Sequence, residues 1–236
     1  LISQSIDCLA GEKILAAESH AKSTTLRYLA FQAHLMRKIN TIGADYFEQL
    51  FAAESDPWHF RSSEYERTKY EMTLAALGRR HFQNALEIGC ANGILTKRLA
   101  AQCANLVAVD ISRSAILLAQ AECCEVGNIE FRVLDFLNFQ EQKQQFDIII
   151  LSEVVYYWDD RSIAAAAAII CNILNENGTI LLVHWTGETD YPQTGHDAVH
   201  KLQDALDQTV LVEWCQYFAK YQLDIWRHIS RKRRTV

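Results

Sequence analysis

Four acidic residues, Glu87, Asp110, Asp135 and Glu153, each close or follow a short apolar run, a placement that fits the ends of successive strands. The first lies in Glu87-Ile88-Gly89-Cys90-Ala91-Asn92-Gly93, an E-x-G-x-A-x-G pattern. Glycines directly after a first strand let the backbone turn tightly and approach a ligand. A dinucleotide fingerprint needs G-x-G-x-x-G, and its third glycine would fall on Ile94, so a pyrophosphate site is not expected. Asp110 follows Val107-Ala108-Val109, where a carboxylate can accept both hydroxyls of a ribose. Asp135 stands beside Phe136 after a third run, a pair able to bind an adenine amino group and stack on its ring. The fourth run ends Leu151-Ser152-Glu153 and opens onto Tyr156, Tyr157 and Trp158. Singly, Gly89 and Gly93 fit a structural turn and Asp110 fits a helix cap. Together the four endings outline an adenosyl pocket on the carboxyl edge of one sheet, where open α/β sheets bind ligands.

The elements that must position these residues fall into two regimes. Up to about Leu77 the apolar spacing is helical, with stripes Leu26, Leu29, Ala30, Ala33, Met36 and Tyr46, Phe47, Leu50, Phe51. Pro57 interrupts this pattern, and a helix is predicted from Ser63 to Leu77, capped by Ser62 or Ser63 and stopped by Gly78. From Asn84 on, apolar runs at Ala85–Ile88, Leu106–Val109, Ile129–Leu134, Phe146–Leu151 and Ile180–Trp185 alternate with helical stretches at Leu95–Gln102, Ser112–Val126 and Asp160–Asn175. This alternation predicts an α/β fold with a doubly wound, mostly parallel sheet. Val210–Tyr217 and Leu223–Ile229 are too close in sequence for a crossover helix and are expected to pair antiparallel at one sheet edge.

The bulk composition sets limits. Half of the 236 residues are hydrophobic, enough for a sizeable core. No run approaches the roughly 18 apolar residues needed to span a bilayer, and Leu1 to Ala17 lacks the pattern of a signal peptide. The first residue is leucine, as expected of a segment of a longer gene product. The 7 cysteines form no C-x-x-C pair, which points to a reduced cytoplasmic compartment and to no metal site. Net charge is −6, yet the last ten residues carry five basic side chains and no acid, so the body is more acidic still. Such a body repels nucleic acid, and the basic tail is expected to be solvated.

Glu87–Gly93, Asp110, Asp135-Phe136 and the stretch from Phe146-Asp147 to Glu153 resemble the motifs of class I S-adenosylmethionine-dependent methyltransferases, with Ala91 where a middle glycine is commonly seen. Asp45-Tyr46-Phe47, Asp56-Pro57-Trp58-His59-Phe60, Ser63-Glu64-Tyr65-Glu66-Arg67-Thr68-Lys69-Tyr70 and His184-Trp185-Thr186-Gly187-Glu188-Thr189-Asp190-Tyr191-Pro192 are similar to the NodS family of nodulation N-methyltransferases. So are Gly195, Val199 and His200, and the likeness spans about Asp45 to Ile229. The resemblance implies a Rossmann-like seven-stranded sheet at 44–236, with 44–80 as a helical cap and 81–236 as the α/β core. Residues 1–43 are expected to be a helical extension outside the family pattern, able to support a homodimer.

The resemblance also implies S-adenosylmethionine as cofactor, held by Trp58, Tyr65, Lys69, Glu87, Gly89, Cys90, Ala91, Gly93, Asp110, Ile111, Asp135, Phe136 and Ser152. Trp58 and Tyr65 would help close a lid, with Lys69 or Arg67 near the cofactor carboxylate. An amine acceptor must lose a proton, for which His184 is the candidate base, and Glu153 and Tyr156 join it as catalytic candidates. The implied acceptor is the amine of a glucosamine on a deacetylated chitin-type oligosaccharide. Tyr156, Tyr157, Trp158 and Trp185 would stack on sugar, and Glu153, Asp159, Asp160 and Glu188 would meet hydroxyls or an ammonium. Another small amine or hydroxyl acceptor, a non-catalytic binding module, and a nicotinamide-dependent oxidoreductase are the competing readings.

Overall fold

Ser63 opens the helix that overhangs the sheet, its hydroxyl accepting a hydrogen bond from the Glu66 amide, and Gly78 closes it. The computed structural model describes residues 37–140 and 144–229. Within them the helices are α1 (Ala44–Ala53), α2 (Glu64–Leu77), α3 (Ile94–Leu99), α4 (Arg113–Glu122), α5 (Asp160–Ile173) and α6 (Gly195–Leu206). The strands are β1 (Phe82–Ile88), β2 (Cys103–Asp110), β3 (Ile129–Val133), β4 (Phe146–Ser152), β5 (Leu174–Trp185), β6 (Val210–Tyr217) and β7 (Tyr221–His228). They form one seven-stranded sheet in the order β3-β2-β1-β4-β5-β7-β6. β1 to β5 are mutually parallel, and β7 runs antiparallel to both β5 and β6. This is the doubly wound sheet expected, with the antiparallel pair at its edge.

Continuous apolar runs make sense because alternate residues serve opposite faces. Leu86, Ile88, Val107, Val109, Ile149 and Leu151 pack with Ile163, Ala166 and Ile170 of α5 and Val199 and Leu202 of α6. Ala85, Leu106, Ile148, Ile150, Leu181 and Val183 pack with Tyr70 and Leu77 of α2 and Leu95 and Leu99 of α3. β3 is only partly covered, as befits an edge strand.

Two elements differ from expectation. α6 was not anticipated: Ala198, Val199, Leu202 and Leu206 are its buried stripe, interleaved with His, Asp, Lys and Gln and preceded by Pro192. Thr194 caps it by accepting from the Asp197 amide. β5 begins at Leu174 rather than Ile180, with Asn175–Gly178 accommodated by a register shift opposite Phe146–Ile148.

The stripe from Leu26 to Met36 and the basic residues Arg231–Arg234 lie outside the described residues. Thr41 and Ile42, placed in the extension by sequence, bond to Ser162 and to the Tyr157 carbonyl. No helix among the described residues is long and apolar enough to cross a membrane.

Candidate functional site

The carboxyl ends of β1, β2, β4 and β5 and the segment after β3 surround a cavity of about 420 Å³, roofed by α1, α2 and the loop between them. At the end of β1 the chain turns through Gly89 (φ +76°), Ala91 (φ +49°) and Gly93 (φ +81°). The amides of Gly89 and Cys90 both donate to the Val109 carbonyl, fastening this loop to β2. A Cβ at Gly89 would collide with Val154 Cγ2, so only glycine lets the loop lie this close to the segment after β4. Asp110 Oδ2 accepts from the Ala91 amide at 2.9 Å and Oδ1 from the Ser112 amide at 2.9 Å. Asp110 therefore organises the loop, while Ser112 caps α4. Burial pushes the Asp110 carboxyl up to about 6, against the Ser112 and Ala91 amides.

Beneath the loop, burial pushes Glu87 up to about 7, against the Thr96 hydroxyl. Its Oε2 has no hydrogen-bond partner. Asp135 accepts from the Leu137 amide and the Asn138 side chain, and Phe136 stacks on Trp158 at 6.1 Å and 17°. Ile111 and Ser152 complete the expected lining.

Across the cavity, Glu153 sits at the end of β4 with φ +58°, a left-handed conformation unusual for a non-glycine and characteristic of functional sites. Its Oε1 accepts from Lys69 Nζ at 2.7 Å, and its Oε2 from the Tyr156 hydroxyl at 2.9 Å and the Trp185 amide at 2.8 Å. Burial alone would raise its pKa. The Lys69 ammonium, aided by His184 and the Trp185 amide, holds it below the ordinary carboxylate value. Lys69 comes from α2, where Tyr65, Glu66, Lys69 and Tyr70 all line the cavity.

Several expected roles change. His184 does not line the cavity. It is fully buried, its Nε2 accepts from the Val155 amide at 3.2 Å, and burial lowers it to about 4. It is a support for the segment after β4, out of reach of an acceptor. Lys69 is not free for a cofactor carboxylate, because it is buried between Glu66 and Glu153. Arg67 is exposed and paired with Glu64 and Glu71. Gly93 does not line the cavity either; a Cβ there would meet the Ala119 backbone at 2.9 Å, so it serves the α3–α4 approach.

Tyr156, Tyr157 and Trp158 also line the cavity, but they are buried and packed on Tyr191, Phe47 and Phe136, which leaves little of each ring face open to a sugar. Trp185 remains half-buried on the cavity wall. Asp159 caps α5, Asp160 bonds Lys201 and Gln193, and exposed Glu188 lies off the cavity. Trp58 and Tyr65 do line it, with Trp58 stacked on Phe60 at 5.5 Å.

The structure adds Asn92, Glu66, Thr189 and Tyr191. Asn92 donates to Asp56 Oδ1 at 3.0 Å, tying the β1 loop to the roof. No spacing in the sequence marks Asn92. Glu66 was findable, since Glu66 and Lys69 are i,i+3 on the helix that also carries Tyr65 and Tyr70.

The electrostatics indicate what fits. Glu66, Glu87, Asp110, Asp135 and Glu153 line the cavity, and among the described residues Lys69 is the only lining Lys or Arg, already paired twice. A cationic ligand with hydroxyls and an amino heterocycle suits this wall, including the unpartnered Glu87 oxygen. A pyrophosphate would find no free ammonium or guanidinium on it among the described residues.

A family profile described as Nodulation protein S (NodS) matches residues 44–190. Nodulation protein S of Sinorhizobium fredii is 33% identical over 124 residues, 52% of this chain and 56% of that protein. The Rhizobium tropici protein is 34% identical over 109 residues, 46% of this chain and 45% of its own. The chain thus spans about half the length of the curated relatives it matches. The crystal structure of N-methyltransferase NodS from Bradyrhizobium japonicum WM9 in complex with S-adenosyl-L-homocysteine aligns with a TM-score of 0.68 at 22% identity, covering 79% of this chain and 98% of that one. That likeness shows the fold, the class I methyltransferase sheet.

Proposed function

The chain belongs to the NodS family, and from that premise we propose that it is an S-adenosylmethionine-dependent N-methyltransferase acting on the amine of an amino sugar. The observation that carries this reading is the acid-rich cavity at the sheet's carboxyl edge, in which the only lining Lys or Arg among the described residues is already paired. In it Asp110 would accept the ribose hydroxyls, Asp135 the adenine amino group, and the Gly89–Ala91 backbone would lie against the amino-acid portion. Trp58, Tyr65, Ile111, Phe136 and Ser152 would complete that half, with Cys90 and Glu87 beneath. When bound, S-adenosylmethionine supplies a methyl group on a positively charged sulfur, already activated for in-line transfer. The protein's task is alignment and exclusion of water.

Glu153 would hold the acceptor's ammonium beside Trp185 and Tyr191. Tyr156 keeps its proton, since burial raises its pKa well above the ordinary value, and its hydroxyl fixes Glu153 rather than acting as a base. Residues 1–43, of which the first 36 lie outside the described residues, we read as an extension supporting a homodimer, and 44–80 as the cap. All six described cysteines are free, which supports a reduced, cytoplasmic setting.

The test is methyl transfer from labelled cofactor to a glucosamine-terminated chitooligosaccharide and to its N-acetylated twin. Label on the amine alone is expected. Equal labelling of both would indicate an oxygen acceptor, and binding of nicotinamide dinucleotide without binding of S-adenosylhomocysteine would overturn the cofactor.

A further inference from the structure

A buried polar atom without a hydrogen-bond partner is costly, and one on a cavity wall marks where a ligand's polar group belongs. Among the described residues, Tyr65 Oη, Glu87 Oε2, Asn92 Oδ1 and Thr189 Oγ1 are such atoms, on residues that all line the cavity. Glu66 Oε2 also makes no hydrogen bond, but it lies 2.8 Å from the Lys69 ammonium. Tyr65 and Glu87 belong to the cofactor half proposed above, and Asn92 follows Ala91 in the same loop. Thr189 is left for the acceptor. We propose that Thr189 is a specificity-determining residue whose hydroxyl binds the acceptor hydroxyl next to the amine. The inference rests on the amino-sugar N-methyltransferase reading and deepens it.

The segment that carries Thr189 is fastened at both ends to groups that hold Glu153, the carboxylate assigned to the acceptor's ammonium. β5 ends at Trp185, whose amide donates to Glu153 Oε2 at 2.8 Å. At the other end Tyr191 stacks on Tyr156 at 5.4 Å and 12°, and the Tyr156 hydroxyl donates to the same oxygen at 2.9 Å. Between them Gly187 lies against the Trp185 indole, where a Cβ would collide with the ring. The segment thus folds back over Trp185, and Thr189 joins Trp185 and Tyr191 on the cavity wall.

The other hydroxyls around Glu153 are taken. Tyr156 donates to Glu153 and Tyr70 to Glu66, while Tyr157 and Tyr191 bond to each other. A threonine hydroxyl both donates and accepts, which suits a sugar hydroxyl and not an alkyl chain. Glu153 and Thr189 together would grip an ammonium and a hydroxyl on adjacent carbons, the 2-amine and 3-hydroxyl of a terminal glucosamine. A simple alkylamine would meet Glu153 and leave Thr189 unpaired, which is how a site built for a hydroxyl rejects an analogue that lacks it.

Two acceptors and two variants test this. The acceptors are a glucosamine-terminated chitooligosaccharide and the same glycan with its terminal 3-hydroxyl replaced by hydrogen. Wild type is expected to lose about 10-fold or more in kcat/KM on the 3-deoxy glycan. Thr189→Val keeps the shape without the hydroxyl. It should lose as much on the full glycan and then methylate the two glycans within about twofold of each other. Thr189→Ser should keep the wild-type discrimination. Comparing proteins on one pair of acceptors cancels the change in amine basicity that the deoxy sugar brings. Calorimetric affinity for S-adenosylhomocysteine should stay within about threefold in both variants. A Thr189→Val protein that still discriminates as wild type does overturns the proposal, because its loss is then structural. If Thr189→Val fails to fold, Thr189→Ala carries the comparison, and wild type indifferent to the 3-hydroxyl overturns the proposal without any variant. Methylation of neither glycan by protein that binds S-adenosylhomocysteine refutes the amino-sugar reading itself, and the role of Thr189 falls with it.

Discussion

Gly89 and Gly93 share a left-handed backbone for different reasons, although they read alike in sequence. Gly89 lies on the cavity against Val154, whereas Gly93 lies off it against the backbone of Ala119. Gly89→Ala is therefore expected to abolish S-adenosylhomocysteine binding, a loss of about 100-fold or more, with a modest drop in melting temperature. Gly93→Ala should instead cost stability, about 1–3 kcal/mol, with a smaller effect on affinity. Calorimetric titration and thermal unfolding of both variants check the pair; identical profiles would show that the two glycines share one role. The side-chain types at this site were legible: Asp110 and Asp135 stand where the strand endings put them. The role of His184 was not legible, because its burial is set by the segments that cover β5 and not by its neighbours in sequence.

At the scale of elements, α2 does two jobs at once. Tyr70, Thr73 and Leu77 are buried along it, and Glu66 and Lys69 are buried with them. Lys69 joins this roof to the end of β4 through Glu153. Lys69→Met keeps most of the volume but leaves two buried carboxylates uncompensated, which should cost about 3–5 kcal/mol. Arg61, half-exposed and paired with Glu122, makes the control, since Arg61→Ala should cost under about 1 kcal/mol. Denaturant unfolding compares the two; equal small losses would mean that the α2–β4 bridge does not hold the roof. The helix itself was legible from Ser63, Gly78 and its spacing. α6 was not, because its apolar stripe is thin and is recognised only once the sheet and α5 give it something to cover.

For the whole molecule, an acidic body carries a cavity in which two buried carboxyls, Glu87 and Asp110, hold protons unusually well. Glu87 and Asp110 are raised to about 7 and about 6 by burial. Their folded values exceed the ordinary 4.5 and 3.8, so they favour folding at low pH and lose that contribution as pH rises through about 6 to 7. A bound cation reverses the preference by favouring the ionised forms. S-adenosylmethionine should accordingly bind more tightly as pH rises from about 5 to 8 and release protons on binding. Calorimetry in buffers of different ionisation heat measures that release; none at pH 6.5 would show that these carboxyls do not face the ligand's charge.

The sequence by itself determined the doubly wound sheet, the antiparallel edge pair and the loop after β1, because periodicity and strand-end residues are local properties of a chain. It could not determine which ionisable groups share a cavity. Glu153 lies 84 residues from Lys69 and 32 from Trp185 along the chain, and only their meeting makes Glu153 a saturated anion. Burial and hydrogen-bond partners set the protonation of each group, and both are decided by packing between elements distant in sequence.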